Sequence, residues 1–139
     1  MTPFGVKLRQ IRAERGMTLK QMAESLGVSP AYLSSLEHGR RGRPAHPMVV
    51  AICAQLNIIW DEADELLRLA RLSHPRVTVD TAGLAAPATE LANLLAERIR
   101  KLSPAEIERM LAILKAAPGA KPQPRRRPRA TKPHTVTTP

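Results

Sequence analysis

Helix stops and helix starts alternate so closely in the first forty residues that long elements have no room there. Gly16, Gly27 and Gly39 fall eleven and twelve residues apart. Glycine is the residue type that closes helices, because it enters the left-handed conformation without a steric cost. Behind the first of these glycines, Thr18 with Gln21 forms a capping-box pattern. Behind the second, Ser29 supplies an N-cap and Pro30 a first-turn proline. Phe4, Leu8, Ile11 and Arg12 recur at helical spacing and predict a first helix that Gly16 ends. The second helix has Met22, Ala23 and Leu26 as its inward stripe, and the third has Leu33 and Leu36. A fourth is expected from about Pro47 to Asn57 and a fifth from about Asp61 to Leu72. The carboxylates Asp61, Glu62, Asp64 and Glu65 favour the positive dipole end of that fifth helix, which accounts for them without catalysis.

Two short helices meeting at a tight glycine-bearing turn form a helix-turn-helix. The run GMTLKQMAESLGVSPAYLSSLEHG, residues 16–39, resembles the DNA-binding domains of the lambda-repressor/Cro, or XRE, family, within a resemblance that covers roughly Phe4 to Leu72. The resemblance implies an all-α, five-helix lambda-repressor-like domain. In it Ala23 is small where two helices cross, Gly27 allows the turn, Val28 plugs the core beneath, and Leu33 and Leu36 anchor the recognition helix. It also implies an ion pair between Arg12 and Glu37 that orients helices rather than adding much net stability, since pairing has to offset desolvation. One position departs from the family. Where a glutamine usually braces the start of the second helix against a phosphate, this chain has Leu19, and Lys20 or the Thr18 hydroxyl is expected to replace it.

In this family the N-terminal residues of the third helix meet base edges in the major groove of double-stranded DNA. By position these are Pro30, Ala31 and Ser35, with Tyr32 and Ser34 flanking them and Ser29 at the cap. None is an arginine, glutamine or asparagine, the side chains suited to bidentate reading of guanine or adenine. Thymine methyl contacts and DNA shape are left as the means of discrimination, so specificity from this helix is expected to be modest. Tyr32 has a second reading, simple packing on the helix surface. The loop that follows, HGRRGRPAHP (residues 38–47), carries His38, Arg40, Arg41 and Arg43 between glycines and prolines, as expected of a phosphate-contacting loop. Its Arg41-Gly42-Arg43-Pro44 core also has the form of a short minor-groove hook.

The formal net charge of +10 fits a polyanionic partner, and it is unevenly placed. Residues 1–45 carry +5, residues 46–116 carry −1, and residues 117–139 carry +6. Residues 118–139 are rich in proline and arginine and have Val136 as their one large aliphatic side chain, so a disordered, adhesive basic tail is expected. The domain plan is therefore a DNA-binding domain over 1–73, a linker or short strand over 74–86, a helical pair over 87–117, and the tail. In the linker, Val77 and Val79 alternate with polar residues. In the pair, Leu91, Leu94, Leu95, Ile99 and Leu102 form one apolar stripe. Ser103-Pro104-Ala105-Glu106 then opens a helix bearing Ile107, Met110, Leu111, Ile113 and Leu114. So small a pair needs another surface to cover it. A second copy, giving a homodimer on a pseudo-palindromic site with half-sites ~34 Å apart, is favoured over an intrachain cap.

Other chemistries find little support. A single cysteine, Cys53, allows no internal disulfide, and its apolar neighbours Ile52 and Ala54 suit a core position better than a sensor. His38, His46, His74 and His134 are too scattered for a metal site, and no catalytic spacing appears, so neither a metal, a cofactor nor an enzymatic activity is expected. With only Phe4, Tyr32 and Trp60 as aromatics, single-strand stacking is disfavoured. The absence of a long apolar run or a secretory pattern disfavours membrane partners and export and points to the cytoplasm, in association with the nucleoid. The leading reading is a bacterial sequence-specific transcriptional repressor. The alternatives are an antitoxin-type protein that also binds a toxin, and a less specific nucleoid-type binder.

Overall fold

The computed structural model describes residues 1–119, so the expectations for the basic tail fall almost entirely outside the described residues. The chain divides into two compact units, Met1–Asp80 and Thr81 onward. Five helices build the first: α1 (Pro3–Glu14), α2 (Leu19–Leu26), α3 (Pro30–Glu37), α4 (His46–Gln55) and α5 (Trp60–Arg71). The second contains α6 (Ala86–Arg98), which runs into a 3-10 turn at Ile99–Lys101, and α7 (Pro104–Ala116). Among the described residues there is no strand, and 74–81 is irregular. The Val77/Val79 alternation has no neighbouring strand to pair with, and a single extended segment cannot make a ladder.

Local chemistry sets the helix ends. The Thr18 hydroxyl accepts from the Gln21 N–H at 3.1 Å, and the Gln21 side chain accepts from the Thr18 N–H at 2.9 Å, closing a capping box. Gly27 ends α2 at φ +69°, in the left-handed region where a side chain is strained. Two residues later Ser29 caps α3 through the Tyr32 N–H at 3.1 Å, and Pro30 occupies the first turn. The turn between α2 and α3 is thus fixed by cap chemistry on both sides.

These short helices gain their stability from one shared core. Phe4, Leu8 and Ile11 of α1 join Met22 and Ala23 of α2, Leu33 and Leu36 of α3, Val49 and Ile52 of α4, and Leu66 and Ala70 of α5. The α1 helix packs on α3 and α5, α2 on α3 and α4, and α4 on α5. Each fully buried large aliphatic or aromatic side chain contributes about 1.5–3 kcal/mol of transfer free energy. Val28, Leu26 and Cys53 are half-buried and pack against the edge of this cluster. Burial and, to a lesser degree, the Glu62 charge push the Cys53 thiol up, which keeps it protonated and a poor nucleophile.

The tightest approach is between α1 and the end of α3. A Cβ on Gly5 would lie 2.0 Å from the Glu37 carbonyl oxygen, closer than any real contact. Thr2 reinforces the seam, donating both its N–H and its hydroxyl to that same carbonyl at 3.1 Å. The Phe4 N–H donates to the Ser73 hydroxyl at 2.9 Å, which itself donates to the Leu69 carbonyl at 2.6 Å. The start of α1 is therefore bonded to the ends of both α3 and α5.

In the second unit neither α6 nor α7 contributes a buried residue. Leu91 is 64% and Leu114 65% exposed, Ile113 is 72% exposed, and Leu94, Leu95, Ile99, Ile107, Met110 and Leu111 are exposed as well, with Leu102 half-buried. A capping box opens α7. Glu106 accepts from the Ser103 N–H at 2.7 Å, which holds its carboxyl below the usual carboxylate range.

Glycine inside a helix ordinarily costs about 1 kcal/mol relative to alanine. The Gly5–Glu37 contact reverses that sign. Gly5→Ala is expected to destabilise the chain by about 3 kcal/mol, read as a lower urea midpoint, because backbone meets backbone and must move.

Candidate nucleic-acid interface

The α3 helix is held from behind by an ion pair. Arg12 Nη2 lies 3.0 Å from Glu37 Oε1 and 3.3 Å from Oε2, and Arg12 Nε is 3.2 Å from Oε1, so the guanidinium grips both carboxylate oxygens. The Glu37 side chain is 2% exposed and that of Arg12 is 11% exposed. Such a pair gains little net stability over an apolar substitute but is costly to break, and its three directed hydrogen bonds set how α3 lies against α1. The Arg15 guanidinium also donates to the Leu56 carbonyl, tying the end of α1 to the end of α4.

With its inner face fixed this way, α3 leaves the opposite face open. Pro30 and Ala31 are exposed, and Tyr32, Ser34 and Ser35 are half-buried. Ser29 is exposed, though its hydroxyl is engaged in capping. On α2, Lys20 is exposed and the Thr18 hydroxyl accepts the Gln21 N–H. Leu19 is half-buried against the core, where a glutamine would be out of place. Thr18 accordingly keeps a free hydroxyl proton, and Lys20 a free ammonium, for an incoming anion.

The loop after α3 folds back onto the helix. Gly39 turns the chain at φ +73°, where a Cβ would meet Thr2 Cγ2 at 2.5 Å, and Gly42 turns it again at φ +76°. His38 Nδ1 lies 2.8 Å from the Ser34 carbonyl. Arg40, Arg41 and Arg43 are exposed, and the Arg41 guanidinium carbon sits 5.1 Å from the centroid of the Tyr32 ring. This cation–π contact, worth about 0.5–1 kcal/mol at an exposed site, places one loop charge over α3. The two readings of Tyr32, base contact or surface packing, thus gain a third, a platform for Arg41. Nothing in local sequence periodicity links residues nine apart across the Gly39 turn. The seam between Gly5 and Glu37 left a fainter signal, since a glycine inside a helical pattern is unfavourable unless packing requires it.

The geometry defines a class: a five-helix domain whose second and third helices form a helix-turn-helix, flanked by an arginine-bearing loop. The helix-turn-helix domain family matches residues 3–72, half of the chain, and the chain belongs to that family. It is 36% identical over 61 residues to the uncharacterized HTH-type transcriptional regulator RghRB of Bacillus subtilis, covering 44% of each chain. With the HTH-type transcriptional repressor RghR of the same organism it shares 38% identity over 61 residues, 44% of this chain and 45% of that one. The transcriptional regulator ClgR of Mycobacterium tuberculosis is 36% identical over 74 residues, 50% of this chain and 65% of ClgR. The chain spans about half the length of the curated relatives it matches.

The Arg12–Glu37 pair makes an asymmetric prediction. Arg12→Met leaves a buried carboxylate without its cation and is expected to cost about 3–5 kcal/mol in urea denaturation. Glu37→Met is expected to cost less, since Arg12 sits nearer solvent, and the double variant to recover most of the loss of Arg12→Met.

Proposed function

We propose that the chain is a sequence-specific DNA-binding transcriptional regulator, acting as a repressor on a pseudo-palindromic operator. The observation that carries this reading is Arg41 stacked over Tyr32, which joins the open face of α3 and the arginine loop into one basic surface. The regulator names of the Bacillus and Mycobacterium relatives support it, as does the match to the helix-turn-helix family. Pro30, Ala31 and Ser35 would face bases, with Ser29, Tyr32 and Ser34 around them. Thr18, Lys20, His38, Arg40, Arg41 and Arg43 would meet the backbone. The α3 helix supplies contacts to thymine methyls and single hydroxyls, whereas the loop supplies charge. Phosphate contacts therefore set most of the affinity, and α3 together with DNA shape sets the preference. Residues 117–139 add a further +6 that would strengthen binding to any sequence.

In this reading α6 and α7 are the dimerising elements. Leu91, Leu94, Leu95 and Ile99 on one helix, with Ile107, Met110, Leu111 and Leu114 on the other, form an exposed apolar set of the kind that marks a protein interface. Leu102 sits at the bend between them. A symmetric pair would place two recognition helices one turn of DNA apart.

Two measurements test the two halves of this proposal. Footprinting on the chain's own promoter locates a site, and salt titration on that site then measures phosphate contacts. Arg41→Ala and Arg43→Ala are each expected to reduce the log–log salt slope by about 1 and to weaken binding to all sequences alike. An unchanged slope in both would remove the loop from the interface. Light scattering on a chain truncated after Ser73 is expected to show a monomer at micromolar concentration, whereas the full chain is a dimer. A truncation that still dimerises would refute the role given to α6 and α7.

A further inference from the structure

A cleft of about 500 Å³ opens on the first unit between the end of the arginine loop, the start of α4 and the last turns of α5. Its floor is apolar: Val49 is fully buried, Pro44 and Ala70 are buried, and Leu67 is half-buried. Its rim is cationic. Arg43 comes from the loop and Arg68 and Arg71 from α5, and His46 also lines the cleft. All three arginines are exposed, and among the described residues none of their guanidinium groups forms an ion pair or hydrogen bond. One carboxylate, Asp64, also lines the cleft.

Three guanidinium groups around one apolar floor are not what helix stability alone requires. Cations in the last turn of α5 favour its dipole, which explains Arg68 and Arg71 singly. It explains neither the arrival of Arg43 from a different element nor the apolar hollow that the three surround. Guanidinium forks match the oxygens of a phosphate, and an apolar floor beneath them suits the organic body of an ester. Asp64 works against large polyanions and offers one acceptor to a hydroxyl or amino group.

We propose that this cleft binds a small organic phosphate ester, with its phosphate held by Arg43, Arg68 and Arg71 and its organic part on Ala45 and Leu67, above the buried Val49 and Ala70. The consequence for regulation rests on the DNA-binding reading above, because Arg43 is one of the loop cations assigned there to DNA. An ester that engages Arg43 withdraws it from the DNA backbone, so ester and DNA weaken each other's binding by the same factor. A DNA phosphate is the other source of the same chemistry, and the two are separable by experiment.

Phenyl phosphate is a suitable probe, titrated into the full chain at constant ionic strength and followed by amide chemical shifts without DNA. Saturable shifts confined to residues 43–49 and 64–71 are expected, with inorganic phosphate binding more weakly for want of an apolar body. Arg68→Gln and Arg71→Gln are each expected to weaken phenyl phosphate binding by about ten-fold, since each removes one charged fork from the anion. The amide spectra of these variants show directly whether they remain folded. Shifts that do not saturate, that sulfate reproduces, or that survive both substitutions would overturn the proposal. If phenyl phosphate fails to bind while both variants lose DNA affinity, the cleft seats a DNA phosphate and the ester site is refuted. In the last arm, phenyl phosphate is expected to weaken operator binding by the wild type but not by Arg71→Gln. Because the direct titration contains no DNA, it stands or falls independently of the DNA-binding reading.

Discussion

The fold turns on one buried glutamate. The carboxylate of Glu37 is held by Arg12 of α1, its carbonyl accepts two hydrogen bonds from Thr2, and its backbone lies so close to Gly5 that no side chain fits there. Through Phe4 and Ser73 the same corner reaches the end of α5. A buried carboxylate is a poor stabiliser, because desolvation consumes much of what pairing gains. It is a strong constraint on geometry, because only one placement of α1 against α3 satisfies all these partners at once. The orientation of α3 is therefore decided on its inner side, which leaves the side chains of Pro30, Ala31 and Ser35 out of the core.

That separation explains which parts of the molecule were legible in sequence. Helix ends were, because capping acts within four residues: Thr18 with Gln21, Ser29 with Tyr32 and Ser103 with Glu106 each leave a short local pattern. The core stripe was legible for the same reason, since Leu8 with Ile11 and Leu33 with Leu36 repeat at helical spacing. The pairing of Arg12 with Glu37, 25 residues apart, follows from no periodicity and entered through family resemblance. Contacts made across glycine turns were not legible. Arg41 reaches Tyr32 because the turn at Gly39 sends the chain back, and a string of residues does not encode where such a loop comes to rest. The cleft under Arg43 was hidden likewise, as its lining joins residues 43–49 to residues 64–71. The alternation at Val77 and Val79 left a short strand and a linker equally open. It is a real local signal, but strand formation needs a partner that the described residues do not provide.

In the proposed reading, the face of α3 and the loop beside it would divide recognition between unlike kinds of chemistry. A helix presenting proline, alanine and serine gains little from any one base pair, and the absence of a bidentate donor limits how sharply it can discriminate. In the proposed reading, arginines in the adjoining loop would bind any phosphate, and Arg41 would do so from the Tyr32 ring rather than as a free rotamer, which lowers the ordering cost of contact. In such a design occupancy is governed more by how many loop cations are available than by the quality of the base contacts.

Availability is then the natural point of control. Arg40 and Arg41 stand toward the start of the loop, with Arg41 committed to the Tyr32 ring, whereas Arg43 stands at the rim of the cleft beside α5. One loop thus carries cations with different neighbours. Losing Arg43 to an anion in the cleft would subtract one phosphate contact, a uniform loss across sequences, and would leave the face of α3 untouched. An effector acting this way would change how much DNA is bound without changing which DNA is preferred. Control of that kind needs no rearrangement of the Arg12–Glu37 corner, whose several simultaneous bonds make it the least adjustable part of the domain.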